Sequence, residues 1–292
     1  VIEVHLSPGM PSLSIVGLPE TAIKESKDRV RSALINSGFE FPARRITINL
    51  APADLPKKEG GRFDLPIALG ILAASKQIPI ESVSQYEFAG ELALDGKLRP
   101  FVGALPFALA AKRQNRILML PKENAFEVAL LREIKILASQ HLLDICAHLT
   151  GVKIIEPFEA QLLPTEQKFD IDLTDVYGQE HAKRALEIAA AGGHSLFMIG
   201  PPGTGKTMLA NRLITILPQM NDDEAAEIAA IHSICGKKIT SKSWRARSFC
   251  APHHTASSIA LVGGSSPPRP GEISLAHNGV LFLDELPEFN RN

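Results

Sequence analysis

One short stretch in the second half of the chain has the composition of a loop that binds phosphate. Residues 200–207 read GPPGTGKT and match the G-x-x-x-x-G-K-[ST] pattern in full. Glycines let backbone N–H groups turn towards phosphate oxygens, Lys206 reaches the β- and γ-phosphates, and Thr207 gives its hydroxyl to Mg²⁺. The pattern predicts an ATP site whose contact residues are Gly200, Pro201, Pro202, Gly203, Thr204, Gly205, Lys206, Thr207 and Met208.

Two acidic residues follow an apolar run about 80 residues further along the chain. Residues 280–283 read VLFL and precede Asp284 and Glu285. We expect a central parallel strand here, with its acids at the carboxyl end where open α/β sheets bind ligands. Asp284 would hold Mg²⁺, and Glu285 would polarise the attacking water. Alone, such a run could equally end in a solvated acidic turn, but beside the phosphate loop it predicts ATP hydrolysis with Lys206 and Glu285 as catalytic residues.

The stretch CAPHHTASS (250–258) raises the question of a metal site, because two histidines lie close to a cysteine. Adjacent residues of a helix or strand point in different directions, so His253 and His254 are not expected to share one metal. Cys250 and His277 are further candidate ligands, but their spacing follows no regular metal motif. Three interpretations stay open: a buried or hydrogen-bonded structural role, contact with nucleic acid, and, least supported, zinc.

A basic stretch, GKKITSKSWRARS (236–248), contains a single tryptophan and no acid. Cations neutralise phosphates and an aromatic ring stacks on a base, which suits non-specific binding of DNA. The alternative is an exposed loop whose tryptophan packs back on the core. The candidate DNA contacts are Lys237, Lys238, Lys242, Trp244, Arg245 and Arg247, together with His253 and His254.

Composition limits the class of protein. The 292 residues are 45% hydrophobic and 22% charged, which is typical of a folded chain of about two domains. A net charge of −1 argues against binding nucleic acid or membranes through net charge alone. Three widely spaced cysteines suggest a reducing cytoplasm, and no apolar run approaches the roughly 20 residues that span a bilayer. Because the chain begins at Val1, we expect a piece of a longer protein.

Periodicity divides the chain into an α+β domain over 1–158, a polar linker over 159–173 and an α/β domain over 174–292. In the second domain we expect a buried strand at 195–199 and a helix at 207–217 around the phosphate loop. In the first domain we expect strands at 13–18, 45–52 and 116–121, helices at 20–38, 65–77, 104–115 and 123–131, and a hairpin at 87–100 around Asp95-Gly96.

Two segments resemble a known family. Residues 175–207, DVYGQEHAKRALEIAAAGGHSLFMIGPPGTGKT, resemble the start of an AAA+ ATPase module, which implies that Val176, Tyr177, Gly178 and Gln179 line the adenine pocket. Residues 248–292, SFCAPHHTASSIALVGGSSPPRPGEISLAHNGVLFLDELPEFNRN, resemble the Mg-chelatase branch of AAA+ proteins and, more closely, the ComM/YifB family.

This resemblance implies a hexameric ring that acts as a DNA helicase and promotes branch migration during natural transformation. It places His253 and His254 in an insertion that projects towards the ring's pore. The rival is a chelatase-type ATPase that remodels a partner protein; a regulatory protein with little turnover is disfavoured because Glu285 is present. Since the chain ends at Asn292, before the family's arginine finger, sensors and lid, we expect residues 1–292 alone to hydrolyse little ATP and form no stable hexamer.

The first domain resembles the Lon-type proteolytic domain, most clearly over 90–124, GELALDGKLRPFVGALPFALAAKRQNRILMLPKEN. Lon uses a Ser-Lys dyad, but the expected lysine position holds Pro106, and the turn at 60–64 contains no serine. The resemblance therefore implies an inactive scaffold and not a protease. The basic residues nearby could form a nucleic-acid-facing edge or a solvated turn; they are Arg44, Arg45, Lys57, Lys58 and Arg62.

Overall fold

The structure is a computed structural model that describes residues 1–17, 21–52, 61–159, 169–265 and 268–290. The chain splits into two compact units, Val1–Gln161 and Leu162–Asn292. Most of the predicted linker, and Lys57 and Lys58 of the predicted basic edge, lie outside the described residues.

The first unit begins with a three-stranded sheet. Strands β1 (Ile2–Ser7), β2 (Ser12–Val16) and β3 (Arg45–Leu50) lie in the order β1-β3-β2, with β3 antiparallel to β1 and parallel to β2. Alternate side chains of β3 are buried, as expected for a strand with one face on a core. Helices α1 (Thr21–Asn36) and α2 (Asp64–Ala74) supply most of the other core residues, because their apolar side chains pack with those of β3.

A second sheet of this unit is wholly parallel. Its strands lie in the order β4-β7-β8. Along the chain, a short hairpin and helices lie between these strands. The central strand β7 is apolar throughout and almost fully buried, as parallel strands usually are. The elements are β4 (Tyr86–Phe88), β5 (Glu91–Leu92), β6 (Leu98–Arg99), α3 (Ala104–Arg113), β7 (Ile117–Pro121), α4 (Lys122–Val128), β8 (Ile136–Ser139) and α5 (Leu142–Leu149).

The predicted hairpin is present but shorter than its sequence pattern. Strands β5 and β6 pair antiparallel across the turn that contains Asp95 and Gly96, and Gly96 takes a left-handed φ of +86°. Residues 86–88 instead join the parallel sheet as β4, because their backbone pairs with β7. The other helices and strands predicted in this unit are found within a few residues of their expected limits.

The second unit is built on three helices, α6 (Glu180–Gly192), α7 (Lys206–Ile216) and α8 (Asp222–Ile234). Leu173 and Val176 pack with side chains of α6 and α7 in a small core. Helix α8 starts with a capping box in which Asn221 and Glu224 satisfy each other's backbone N–H groups. No helix in the described ranges is long and apolar enough to cross a membrane.

Short elements complete the second unit. Strand β9 (Phe249–Cys250) pairs parallel with β12 (Val280–Leu281), and the Phe282 N–H extends the ladder by donating to the Cys250 carbonyl at 2.8 Å. Between them lie α9 (Ser258–Val262), β10 (Gly263–Gly264), β11 (Arg269–Pro270) and α10 (Glu272–Leu275).

Two strand predictions in the second unit need correction. Residues 195–199 form no strand, and Phe197 and Ile199 are 71% and 86% exposed. The acid-bearing strand β12 is two residues long and, in the described part of the chain, pairs on one side only, so it is not central. Apolar composition makes a strand only where a neighbouring backbone supplies hydrogen bonds, and the described residues supply none to 195–199.

Candidate nucleotide-binding site

The phosphate loop leads directly into helix α7. Gly203 and Gly205 have φ values of +80° and +85°, a left-handed conformation that favours glycine. Gly205 is the N-cap of α7, so Lys206 and Thr207 occupy the first turn of the helix. Free backbone N–H groups and the positive end of the helix dipole are therefore available to an anion at this loop.

Lys206 folds over the carbonyl groups of its own loop. Its ammonium group donates to the carbonyls of Gly200 at 2.8 Å and Pro201 at 3.0 Å. The hydroxyl of Thr204 donates to the same Pro201 carbonyl at 2.9 Å. A phosphate group at this loop would offer stronger, charged acceptors to the same ammonium group.

The predicted metal ligands lie together. Thr207 Oγ1 donates to Asp284 Oδ2 at 2.9 Å, and the Glu285 N–H donates to Asp284 Oδ1 at 3.1 Å. A hydroxyl and a carboxylate beside a phosphate loop form the oxygen donor set that Mg²⁺ prefers. The residues present therefore fit Mg²⁺ bound together with nucleotide phosphates.

The four residues predicted to line the adenine pocket have different environments in the structure. Gln179 has a φ of +60° at the N-cap of α6, and its side-chain amide donates to the Thr204 carbonyl at 2.9 Å, which ties it to the phosphate loop. Val176 is buried in the core, whereas Tyr177 is 100% exposed. Gly178 lies between them with a left-handed φ of +62°.

Arg212 was not anticipated from the sequence. From α7 it donates to the Asp172 carbonyl at 2.9 Å and lies 3.2 Å from the Asp175 carboxylate. It thereby fixes the segment before Val176 against the helix that follows the phosphate loop. No motif marks this arginine, because its partners lie about 40 residues upstream.

The basic stretch divides into exposed and internal residues. Lys237, Lys238 and Lys242 are exposed and form no ion pair with the rest of the described chain. Trp244 is partly buried and packs against the cluster of Met220, Ala225 and Ile228, as the alternative interpretation of this stretch expects.

The two arginines of this stretch bind other residues of the same unit, so the structure does not support them as DNA contacts. Arg245 pairs with Asp222. Arg247 is only 14% exposed and donates to the carbonyls of Pro218, at 2.7 Å, and Asn278. It also lies 3.4 Å from the Glu224 carboxylate, so it joins the segment after α7, the start of α8 and the start of β12.

The two histidines lie side by side, contrary to the expectation that they diverge. Their ring centroids are 4.0 Å apart because residues 253–254 lie in irregular backbone and not in a strand or helix. His253 Nδ1 lies 2.8 Å from Thr255 Oγ1, and His254 Nδ1 lies 3.2 Å from Glu285 Oε2.

The other candidate metal ligands do not join the histidine pair. His277 lies 3.0 Å from Glu227, and burial raises the pKa of the Cys250 thiol to about 11, which disfavours the thiolate that binds metals. The described residues contain no group of three His, Cys, Asp or Glu side chains that could hold a metal.

In the first unit, the turn that would carry the Lon serine leads into a buried ion pair. Arg29 donates to both carboxylate oxygens of Asp64, at 2.7 and 3.1 Å, and the Leu92 N–H donates to Asp64 as well. Burial raises the pKa of Asp64, while the hydrogen bond from Arg29 opposes that shift. Pro106, at the expected lysine position, lies in the first turn of α3.

Comparison with known proteins gives matches to both units. The family model described as magnesium chelatase, subunit ChlI, matches residues 172–292, and the model described as subunit ChlI of Mg-chelatase matches residues 2–124. The chain is also similar to Lon protease 3 of Sorangium cellulosum, with 25% identity over 154 residues, 49% of this chain and 18% of that protein.

Relatives that match almost the whole chain include one from Salmonella typhimurium and one from Haemophilus influenzae. It is 56% identical to the protein YifB of Salmonella typhimurium over 99% of this chain and 57% of that protein. It is 55% identical to competence protein ComM of Haemophilus influenzae over 99% of this chain and 58% of that protein. The chain thus spans a little over half the length of these relatives. With such identity across both units, the chain belongs to the ComM/YifB family of Mg-chelatase-like proteins.

Proposed function

We propose that the protein is an ATP-hydrolysing motor of the AAA+ type that acts on DNA. The observation that carries the ATPase proposal is the 2.9 Å hydrogen bond from Thr207 to Asp284, which joins the phosphate loop to the acidic segment. The two contact residues come from the two motifs that ATP hydrolysis requires together.

Each residue of the site has a definite task in this proposal. Backbone N–H groups of the loop bind the phosphates, and Lys206 exchanges its carbonyl partners for the β- and γ-phosphates. Thr207 and Asp284 would hold Mg²⁺, and the ion would supply positive charge to stabilise the negative charge that develops on the transferred phosphoryl group. Glu285 orients the attacking water and takes up its proton, which raises the nucleophilicity of the water.

The proposal that DNA is the substrate is supported by other observations. Lys237, Lys238 and Lys242 form an exposed cationic group that suits phosphates of any sequence. A relative with 55% identity is named competence protein ComM. We therefore propose a hexameric helicase that promotes branch migration of incoming strands during natural transformation, with the first unit as a non-proteolytic scaffold.

One observation favours a second candidate function. Both family models are described by the ChlI subunit of magnesium chelatase. A chelatase-type ATPase would use the same nucleotide site to reshape a partner protein instead of moving along DNA.

The test is the ATPase rate of the full-length protein without DNA, with single-stranded DNA and with branched DNA. We expect DNA to raise the rate, and Glu285→Gln to bind ATP but lose turnover, because its amide cannot accept the proton from water. Light scattering should show a hexamer with ATP. A rate that no DNA changes, but that a protein partner raises, would favour the chelatase-type function.

A further inference from the structure

The three-stranded sheet of the first unit has one face on the core and one polar face. Helix α2 covers the core face so closely that a Cβ on Gly70 would lie 2.6 Å from the Val4 side chain. The β3 side chains on that face, Ile46, Ile48 and Leu50, are at most 1% exposed. The alternate side chains of β1, β2 and β3 point the other way, are exposed or half-buried, and take no part in the core. This polar sheet face consists of Glu3, His5, Ser7, Ser12, Ser14, Val16, Arg45, Thr47 and Asn49.

Strand register arranges these side chains in rows across the sheet. In the first row, Arg45 pairs with Ser7 on one side and with Ser12 on the other. Paired residues of neighbouring strands point to the same face, so the two hydroxyl groups flank the arginine. The next row contains His5, Thr47 and Ser14. Side chains that can donate hydrogen bonds therefore fill two rows across all three strands.

The acid of the polar sheet face lies at its far end. Glu3 is the only acidic residue of β1, β2 and β3, and it belongs to the third row, beside Asn49. Its carboxylate accepts a hydrogen bond of 2.7 Å from the Asn49 side chain. Asn49 follows Arg45 by four residues, which places this row about 13 Å from the arginine at roughly 3.3 Å per residue. The arginine end of the face is therefore cationic.

Two exposed arginines occupy that end. Arg44 directly precedes Arg45, and neither forms an ion pair with an acid in the described ranges. Other arginines of the same unit are paired: Arg99 and Arg116 lie 3.7 and 3.2 Å from glutamate carboxylates. The guanidinium groups of Arg44 and Arg45 are thus free to bind an anion from outside the unit.

The hydroxyl groups of the face make only long hydrogen bonds. Ser7 Oγ donates to the Arg45 carbonyl at 3.5 Å, and Ser14 Oγ donates to the Ile46 carbonyl at 3.4 Å. A phosphate oxygen carries negative charge and is a stronger acceptor than a backbone carbonyl. These hydroxyl groups can therefore turn from the sheet towards a phosphate that Arg45 binds.

We propose that the polar sheet face, together with Arg44, binds the phosphate backbone of DNA. A guanidinium group matches the geometry of a phosphate with two parallel N–H donors, and hydroxyl groups add further contacts. The nine positions of the face contain no Phe, Tyr or Trp to stack on bases, so binding is independent of base sequence. This inference rests on the proposed action on DNA, and it gives the first unit a part in DNA binding beyond that of a scaffold.

The first experiment measures binding of a fluorescein-labelled single-stranded oligonucleotide to the full-length protein at several salt concentrations. Replacing Arg44 and Arg45 together by Gln should reduce the slope of log K against log salt by about 1.4, at roughly 0.7 per phosphate contact. Oligonucleotides of dT and of dA should show the same reduction. The control, Arg99→Gln with Arg116→Gln, removes the same charge from ion-paired positions of this unit and should leave the slope unchanged.

A second experiment tests contact directly. Ser12→Cys places a thiol in the row of Arg45, and a photoreactive group attached to it should crosslink to bound DNA. Ser84→Cys, at an exposed serine just before β4, is the matched control and should give no crosslink.

Three results would overturn the inference: a slope that Arg44→Gln with Arg45→Gln leaves unchanged, an equal reduction in both double variants, or no crosslink from position 12. Each of these results leaves the proposed motor in place if the wild-type protein binds DNA. A wild-type protein that binds no DNA would instead overturn the proposed action on DNA, and this inference with it.

Discussion

Thr207 and Asp284 form a hydrogen bond of 2.9 Å although 77 residues separate them along the chain. The helix that follows the phosphate loop supplies the hydroxyl, and the segment after β12 supplies the carboxylate. The contact assembles two oxygen ligands beside the loop, so Mg²⁺ and nucleotide are expected to bind together.

Removing either oxygen should weaken this coupled binding. Thr207→Ala and Asp284→Asn are each expected to lower Mg²⁺-dependent ATP affinity or turnover by about 10- to 100-fold, because one ligand position is lost. The matched control is Thr215→Ala, a threonine of the same helix whose hydroxyl donates to the Arg212 carbonyl. Titration of Mg²⁺ at fixed ATP measures the effect, and equal losses in all three variants would contradict a metal role for Thr207.

The three exposed lysines should set the salt dependence of DNA binding. Replacing Lys237, Lys238 and Lys242 together by Gln is expected to reduce the slope of log K against log salt by about 2 for single-stranded DNA, at roughly 0.7 per phosphate contact. A control that removes the same charge is the triple Gln variant of Lys97, Lys112 and Lys153, which are ion-paired lysines of the first unit. Binding isotherms at several salt concentrations distinguish the two; identical slopes would exclude the lysine group.

Arg247 should matter for stability. Arg247→Ala removes hydrogen bonds to Pro218, Asn278 and Glu224 at a mostly buried site, and should lower the free energy of unfolding of the second unit by about 2 kcal/mol. Arg247→Lys should recover little, since one ammonium group cannot reproduce the planar fork. Trp244 is the only tryptophan and packs in this unit, so its fluorescence during urea unfolding reports on this unit. Lys242→Ala, at an exposed position, should leave the transition unchanged.

The ion pair of Arg29 and Asp64 should stabilise the first unit. Asp64→Asn leaves the guanidinium without its carboxylate and is expected to cost about 3 kcal/mol, the lower end for a broken buried pair because Arg29 is partly exposed. Hydrogen exchange of the α2 amides measures the change. Asp95→Asn, at an exposed pair with Lys97, is the control and should leave this exchange unaltered.

The first unit should lose stability on mild acidification through His148. Burial lowers the pKa of His148, Nδ1 accepts from the Ile155 N–H, and Nε2 lies 3.0 Å from the Tyr86 hydroxyl. The folded state therefore favours the neutral ring, so this stability is present above the unfolded pKa of about 6.5 and is lost as pH falls through the lower folded value. Hydrogen exchange of α5 between pH 7.5 and 5 should show the loss.

This pH effect is tested by replacing His148 with glutamine, and the same replacement of His5 is the control. His148→Gln should flatten the dependence, since glutamine does not titrate. His5→Gln, at an exposed position of β1, should retain it. A pH dependence that survives in His148→Gln would assign the effect to another group.

Helices α1 to α4, strands β2, β3 and β7 and the hairpin of the first unit could be predicted, because their periodicity reports local backbone geometry and one buried face. Helix α5 and strands β1 and β8 were not predicted. In the second unit, the apolar residues 195–199 were predicted as a strand and are not one. Whether such a run pairs depends on a neighbouring backbone, which no local pattern encodes.

By itself, the sequence determined the phosphate loop, its helix and the acidic pair, because these depend on glycines, a lysine and carboxylates at short fixed spacings. Only the tertiary structure decided that Arg247 is mostly buried, that Trp244 packs against α8, that His253 and His254 lie together, and that His254 lies beside Glu285. Arg247 contacts Pro218 and Asn278, which lie 29 and 31 residues away along the chain, and Trp244 packs against residues of α8. Long-range packing decides whether a basic or aromatic side chain is exposed or buried. Residue type and spacing along the chain do not specify that packing.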